Sequence, residues 1–360
     1  MNDAENTSDI TDGYLKYSRR KILFLLLMAV LLFGLCLFTV RLGSTGLSYG
    51  DILHYMVHPD GSWESTVVWD LRLPRIAAAL LAGAALGIAG AVMQGILRNP
   101  MASPFTLGLS NAAAFGAALG IMFLGGGVIK GSYNVNITVS EPLIVTLSAF
   151  GFAMVATGIV LLLSRAVNTS PETIILAGMA ISAIFSAGLA FLQYVADDVA
   201  LASIVFWQFG SLDKVTWDHL GIIFVVLLLV TVYFFWKRWD YNAMEAGEDV
   251  AKGLGIKVQR TKIVGLILSA MLTSFVVSFM GIIGFIGLIG PHMVKRVIGN
   301  DFRYLLAGSM LLGALVLLVS YIIGTYAMSM AVPVGIITSA IGGPTFIYIL
   351  LRGRLKKCSV

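Results

Sequence analysis

Few side chains in this sequence have the type and spacing to do chemistry, and those that do suit contact between parts more than the making of bonds. From Asn242 the chain reads NAMEAGEDVAKGLGIKVQRTK, where Ala243, Ala246, Val250 and Leu254 recur at helical spacing and Gly253 and Gly255 supply a turn. A short amphipathic helix of this kind either packs on its own bundle or presents its apolar edge to a soluble partner. Two arginines, Arg72 and Arg75, flank Pro74 in the segment LRLPR. Gln94, Asn111 and Gln193 are the main strongly polar side chains inside otherwise apolar runs, and each suits an interhelical hydrogen bond or a transport pathway.

Constellations for catalysis are missing from the sequence. The four histidines, His54, His58, His219 and His292, supply no HExxH pattern, and no Gly-x-Ser-x-Gly elbow occurs. Cys36 lies in an apolar run and Cys358 near the C-terminus, settings too different for a disulfide or a metal pair, and no metal site is expected. There is no GxxxxGK[ST] phosphate loop, so ATP, if it drives this chain, is hydrolysed by a partner.

The elements that must position these residues are membrane helices. Hydrophobic residues make up 58% of the 360, charged residues 12%, and the mean hydropathy is +0.91, beyond what a soluble domain keeps in solution. The formal charge of +5 fits a bias of cytoplasmic loops better than nucleic-acid binding, which is not expected. A bilayer core takes about 20 apolar residues per helix. Nine runs qualify, near 22–40, 76–97, 101–124, 142–164, 173–196, 219–236, 263–294, 305–323 and 333–351. The seventh would stretch about 48 Å as one helix. Lys262 and Lys295-Arg296 flank it, and Gly281, Gly284, Gly287, Gly290 and Pro291 offer a break, so it is expected to cross twice.

Ten spans follow, with both termini in the cytoplasm. In that arrangement the 24 Lys and Arg divide 19 inside to five outside (Arg41, Arg72, Arg75, Lys130 and Lys214), with none in a span interior. The run 22–40 is long for a signal peptide and no small-residue cleavage pattern follows it, so a retained first helix is expected. Residues 1–20 read as a disordered cytoplasmic tail, 21–353 as the transmembrane domain with a polar loop at about 240–260, and 354–360 as a second tail. Span interiors hold no Asp, Glu, Lys or Arg, which weakens a proton- or ion-coupled carrier.

In five ordered blocks the chain resembles the permease subunits of ABC importers for iron-siderophore, haem and vitamin B12 complexes, the FecCD/BtuC-like family. The blocks are LRLPRIAAALLAGAALGIAGAVMQGILRNPMASPFTLGLSNAAAFGA, VFWQFGSL, EDVAKGLGI, GFIGLIGPHMVKRVIGNDFRYLLAGSMLLGA and VPVGIITSAIGGPTFIYILLRG, within about residues 20–353. The resemblance implies an all-α, ten-helix, type II importer permease in the cell membrane. It implies a homodimer with its pathway on the dimer axis, two cytoplasmic ABC ATPase subunits and an extracytoplasmic substrate-binding protein. It implies no cofactor on this chain, ATP and Mg²⁺ being held by the ATPase.

Carried onto this sequence, the resemblance gives Arg72 and Arg75 to binding-protein docking. It gives Glu245, Ala246, Gly247, Glu248, Val250, Leu254 and Gly255 to ATPase coupling. Asn168, Thr169 and Ser170 fall at an inner gate. Ala331 stands where the family often has Glu, and Gly324-Thr325-Tyr326 where an Arg is common, so the outer surface there is less charged than the pattern. Ferric siderophore is the default cargo, with haem, cobalamin or an oxyanion as others. A secondary carrier is the alternative, and an intramembrane enzyme a distant third.

Overall fold

The apolar run 263–294 breaks where its glycines cluster. α12 (Val258–Met280) ends at Gly281, and α13 (Ile286–Ile298) begins after a non-helical stretch that places Phe285 at φ +67°. Thirteen residues of helix rise about 20 Å, short of a ~30 Å hydrocarbon core.

The computed structural model describes residues 2–355 except 44–45, 125–127, 131–136, 140–141, 167–170 and 329. The helices before the break are α1 (Asn2–Arg41), α2 (Tyr49–Val57), α3 (Trp63–Thr66), α4 (Leu73–Ile96), α5 (Leu109–Met122), α6 (Pro142–Ala166), α7 (Pro171–Val195), α8 (Asp198–Gln208), α9 (Trp217–Trp236), α10 (Arg238–Ala246) and α11 (Glu248–Gly253). After it come α14 (Phe302–Tyr326) and α15 (Val334–Leu355). A π-helical turn, Val67–Arg72, joins α3 to α4. A small antiparallel pair, β1 (Val128–Lys130) with β2 (Ile137–Val139), decorates the connection before α6.

Among the described residues seven helices are long and apolar enough to cross a membrane, and Leu109–Met122, Asp198–Gln208 and Val334–Tyr348 are shorter apolar helices. The run expected as one span over 101–124 is cut down because Pro104–Leu107 forms a 3₁₀ turn and Gly108 (φ +77°) redirects the chain before α5. The connection 197–217 contains α8, capped at its start by Asp197, whose carboxylate accepts from the Ala200 amide at 2.7 Å. The tail expected over 1–20 is entered by α1. Ser18 and Tyr304 share a hydroxyl hydrogen bond of 3.0 Å, and the Lys21 ammonium lies over the rings of Tyr17 and Tyr304. Those contacts tether the end of the segment as a helix.

α4 is the axis of the bundle: 83% of its apolar window is buried, against 11% for α1, which faces outward. Small residues let its neighbours approach. A Cβ on Gly83 would meet the Gly313 carbonyl of α14, one on Gly87 the Ser309 carbonyl, and one on Gly90 the Gly287 carbonyl of α13. Pro291 has no N–H to bond the carbonyl four residues back, which is that of Gly287, so this oxygen is directed at α4 instead of into its own helix.

The neighbours of α13 show that the chain doubles back. At one end the Ser211 amide donates to the Met280 carbonyl at 2.8 Å. At the other, Val294 and Ile298 pack against Gly308, and Phe302, which begins α14, lies on Gly95 near the end of α4. The bundle thus has an Arg72 end and an Arg98 end, and α12 and α13 join them in opposite directions.

Candidate functional site

At the Arg98 end, α10 and α11 do not form the single amphipathic helix that the spacing of Ala243, Ala246, Val250 and Leu254 predicts. Gly247, at φ +143°, separates them, in a conformation that a side chain would strain. The two pieces have different roles. α10 is held down: Tyr241 and Met244 are each 1% exposed. α11 buries Ala251 and leaves Val250 51% exposed, and Leu254, which caps its C-terminal end, is 69% exposed. Ala246 ends α10, Glu248 begins α11, and Gly255 (φ +80°) closes the turn after it.

Charged and amide side chains tie this loop to three other helices. The Asn242 amide donates to Asp301 at 3.2 Å and its carbonyl accepts from the Phe302 amide at 2.8 Å; Asn300 donates to Glu245 at 2.6 Å. Asp301 in turn pairs with Arg303 at 2.7 Å and Lys21 at 3.6 Å, which draws in α1. Glu248 pairs with Lys262 of α12, whose side chain is 3% exposed. Removing Glu248 would leave the enclosed Lys262 ammonium without this partner.

Burial pushes the Asp301 carboxyl up, but hydrogen bonds from the Arg303 side chain and backbone and from Asn242 outweigh it and hold the group at about 2. A depressed carboxylate contributes stability above its ordinary value of about 3.9 and loses it as pH falls toward 2, so Asp301 stays ionised through the neutral range.

At the Arg72 end the arginines expected at the surface turn inward or pair within the chain. Arg72 is buried and donates from Nη1 to the Val40 carbonyl at 2.8 Å. Its guanidinium fills the space beside Gly43, where a Cβ would come within 2.7 Å of it. The π-helical turn just before it adds a residue to the winding and rotates Arg72 onto α1. Arg75 bonds Asp213 at 2.7 Å and keeps its side chain 27% exposed. Beside them Trp217 donates to the Trp69 carbonyl at 2.9 Å and Trp69 to the Tyr55 carbonyl at 2.8 Å, an indole pair of the kind found at membrane interfaces.

The polar residues within the apolar runs serve helix contacts where the structure gives them partners. Gln94 donates to the Leu288 carbonyl at 3.1 Å in the first turn of α13, while its own carbonyl oxygen is buried without a partner. Asn111 donates to the Ser182 hydroxyl at 2.8 Å and joins α5 to α7. Gln193 is half-buried on α7. Asn168, Thr169 and Ser170 lie outside the described residues.

The model of the FecCD transport family matches residues 27–352. This chain belongs to the FecCD family. Among curated relatives of this FecCD permease, an ABC transporter permease of Methanocaldococcus jannaschii is 41% identical over 345 residues, covering 96% of this chain and 98% of the relative. The hemin transport system permease of Yersinia pestis is 33% identical over 340 residues, covering 93% and 96%. A solved metal-chelate type ABC transporter in an inward-facing conformation superposes with a TM-score of 0.79 at 30% identity, over 91% of this chain and 99% of that one. Other relatives are named for ferric citrate, molybdate and vitamin B12. The FecCD permease is thus an integral membrane protein of the ABC importer class, and its relatives are permease subunits, not enzymes.

Sequence reasoning found the loop of this permease but missed its ties. Lys262 and Glu248 are fourteen residues apart and meet only because the chain turns at Gly253–Gly255. Asn300-Asp301 carried a signal in hindsight, since Asp before the apolar run of α14 is a helix cap and its side chain accepts from the Arg303 amide at 3.0 Å.

Proposed function

We propose that this FecCD permease works as a homodimer in the cell membrane and moves an iron complex, by default a ferric siderophore, into the cytoplasm by alternating access. Two cytoplasmic ABC ATPase subunits engage α11, and an extracytoplasmic binding protein docks at the Arg72 end. The observation that carries this reading is the exposed apolar pair Val250 and Leu254 on a short helix outside the apolar bundle, in a chain that has no phosphate loop of its own. A soluble partner that covers both side chains gains the burial that the bundle withholds from them.

The iron complex is supported by the relatives named for hemin and ferric citrate and by the metal-chelate transporter. The relatives named for molybdate and vitamin B12 keep an oxyanion and cobalamin in the test panel. At the Arg72 end, Arg75 is a partly exposed cation paired with Asp213, and Ala331, where the family often carries Glu, is exposed. Docking by this reading depends on Arg75 together with the rim around Trp69 and Trp217, while Arg72 supports that rim from below.

The test is uptake into proteoliposomes holding the permease with the ATPase and binding protein encoded beside it. Radiolabelled ferric hydroxamate is expected to accumulate only when ATP and all three components are present. Uptake that persists without the ATPase and collapses with a proton ionophore would establish a secondary carrier instead.

The ten-span reading adds α5, α13 and α15 to the seven long helices and puts the Arg98 end in the cytoplasm. Single cysteines at Lys257 and Asn300, in a chain lacking Cys36 and Cys358, should then be shielded in intact cells from an impermeant maleimide. Labelling of either from outside overturns that orientation.

A further inference from the structure

The loop between α9 and α12 has a stiff part and a hinged part, and the hinged part has one buried charge tie. α10 is fixed through Tyr241 and Met244 and through Asn242 and Glu245 to the start of α14. α11 is jointed on both sides, at Gly247 and at Gly253–Gly255, where Gly247 and Gly255 have positive φ. A peptide link through such joints transmits force poorly, because glycine resists rotation less than any other residue. Across the second joint, however, the Glu248 carboxylate holds the Lys262 ammonium, and Lys262 lies inside α12 with its side chain 3% exposed. α11, which carries Val250, is therefore fastened to α12 by a side-chain pair that spans the Gly253–Gly255 turn.

We infer that Glu248–Lys262 is the strut through which a push on α11 reaches α12. Lys262 is then a positioning residue for transport, distinct from the residues that touch the ATPase. The inference rests on the function proposed above. Its physical content is that the pair resists separation: pulling α11 away without α12 would strand the Lys262 charge in a buried site. α11 and α12 therefore move together. α12 packs along α4 through Gly265, which faces Val92 and Ile96, so a shift of α12 is passed to the axis of the bundle. Gly265 also faces Tyr241 of α10, and α10 is tied to the start of α14 through Asn242 and Glu245, so Gly247 is the joint between that fixed piece and α11.

The test compares assembly, ATP hydrolysis and uptake in the complete transporter, reconstituted with its ATPase and binding protein and supplied with ferric hydroxamate. Lys262→Met keeps the aliphatic stem and removes the charge. It is expected to co-purify with the ATPase and hydrolyse ATP, while uptake per ATP falls by about tenfold or more. The charge-swapped pair Glu248→Lys with Lys262→Glu is expected to recover most of that ratio. A merely structural role would lower the amount of protein and leave uptake per ATP unchanged in what remains.

Wild-type uptake per ATP in Lys262→Met overturns the strut, and so does a swapped pair that assembles yet stays as uncoupled as the single variant. Should Lys262→Met fail to accumulate, Glu248→Gln is read by the same ratio, since Glu248 is partly exposed and its neutral form leaves an amide to meet Lys262. A wild-type chain that itself neither binds an ATPase nor transports defeats the functional reading instead, so the two failures are told apart by the wild-type control.

Discussion

Gly90→Ala is expected to prevent the permease from packing, although it adds one methyl group to a helix that alanine favours. The new Cβ would overlap the Gly287 carbonyl, with that residue's carbonyl carbon and Cα close behind. All three are backbone atoms, so no rotamer change can make room. Pro291 removes the helical partner of that carbonyl and leaves it aimed at α4. Overpacking costs about 1 to 3 kcal/mol where side chains can adjust, and a backbone-on-backbone overlap belongs at or above the top of that range. Gly221→Ala on α9, where nothing lies within 4 Å of the added atom, is the control and should be neutral or slightly stabilising. Size-exclusion profiles and thermal melts in detergent distinguish the two. A monodisperse Gly90→Ala with the wild-type melting point would mean that α13 does not approach α4 as described.

Val250→Asp should abolish transport by the opposite route, leaving the membrane domain intact and removing its partner. The side chain is 51% exposed and lies on jointed α11, so the isolated permease should lose less than about 1 kcal/mol. In the proposed complex the same position is covered by the ATPase, and an unpaired carboxylate at the centre of such a contact costs about 2 kcal/mol or more, roughly a 30-fold loss of affinity. Val250→Ala should lie between, since it removes area and adds no charge. Co-purification of the ATPase is the measurement, and undiminished binding with wild-type uptake would remove α11 from the interface. The contrast with Lys262→Met is sharp: one variant loses the ATPase, the other keeps it and wastes its work.

How much of this was legible depended on whether a residue's setting is decided locally. The break in the run 263–294 could be read because Gly and Pro act on their own backbone and because Lys262 and Lys295 mark its ends. Its exact form could not: the sequence offered Gly281 through Pro291 as one weak stretch, whereas the chain opens only over 281–285 and keeps Pro291 inside a helix. Arg72 was misplaced because LRLPR looks like a helix start at a surface. Its burial depends on the π-helical turn and on the missing side chain of Gly43, features set by packing against α1. The exposed apolar pair on α11 was visible as periodicity, but the split at Gly247 was hidden by the helical spacing that runs through it. Glu248–Lys262 and Asn300–Glu245 join positions that become neighbours only when the bundle closes.

The open segment 281–285 also bears on how the protein is made. A helix of thirteen residues with backbone groups left open at its start cannot partition into lipid alone, since each unpaired peptide group costs several kcal/mol in hydrocarbon. α12, with 23 apolar-rich residues, can leave the translocon as soon as it is synthesised. α13 meets α4, made long before it, at Gly287, and gains its contacts at Val294 and Ile298 only when α14 has emerged. When α15 follows, Gly335 closes over the Phe209 and Ile282 carbonyls and Gly342 over Phe285. By the ten-span reading, packing here is completed from the C-terminal side: a ribosome stalled after Ile298 would leave the irregular segment 281–285 without the α15 residues that cover it.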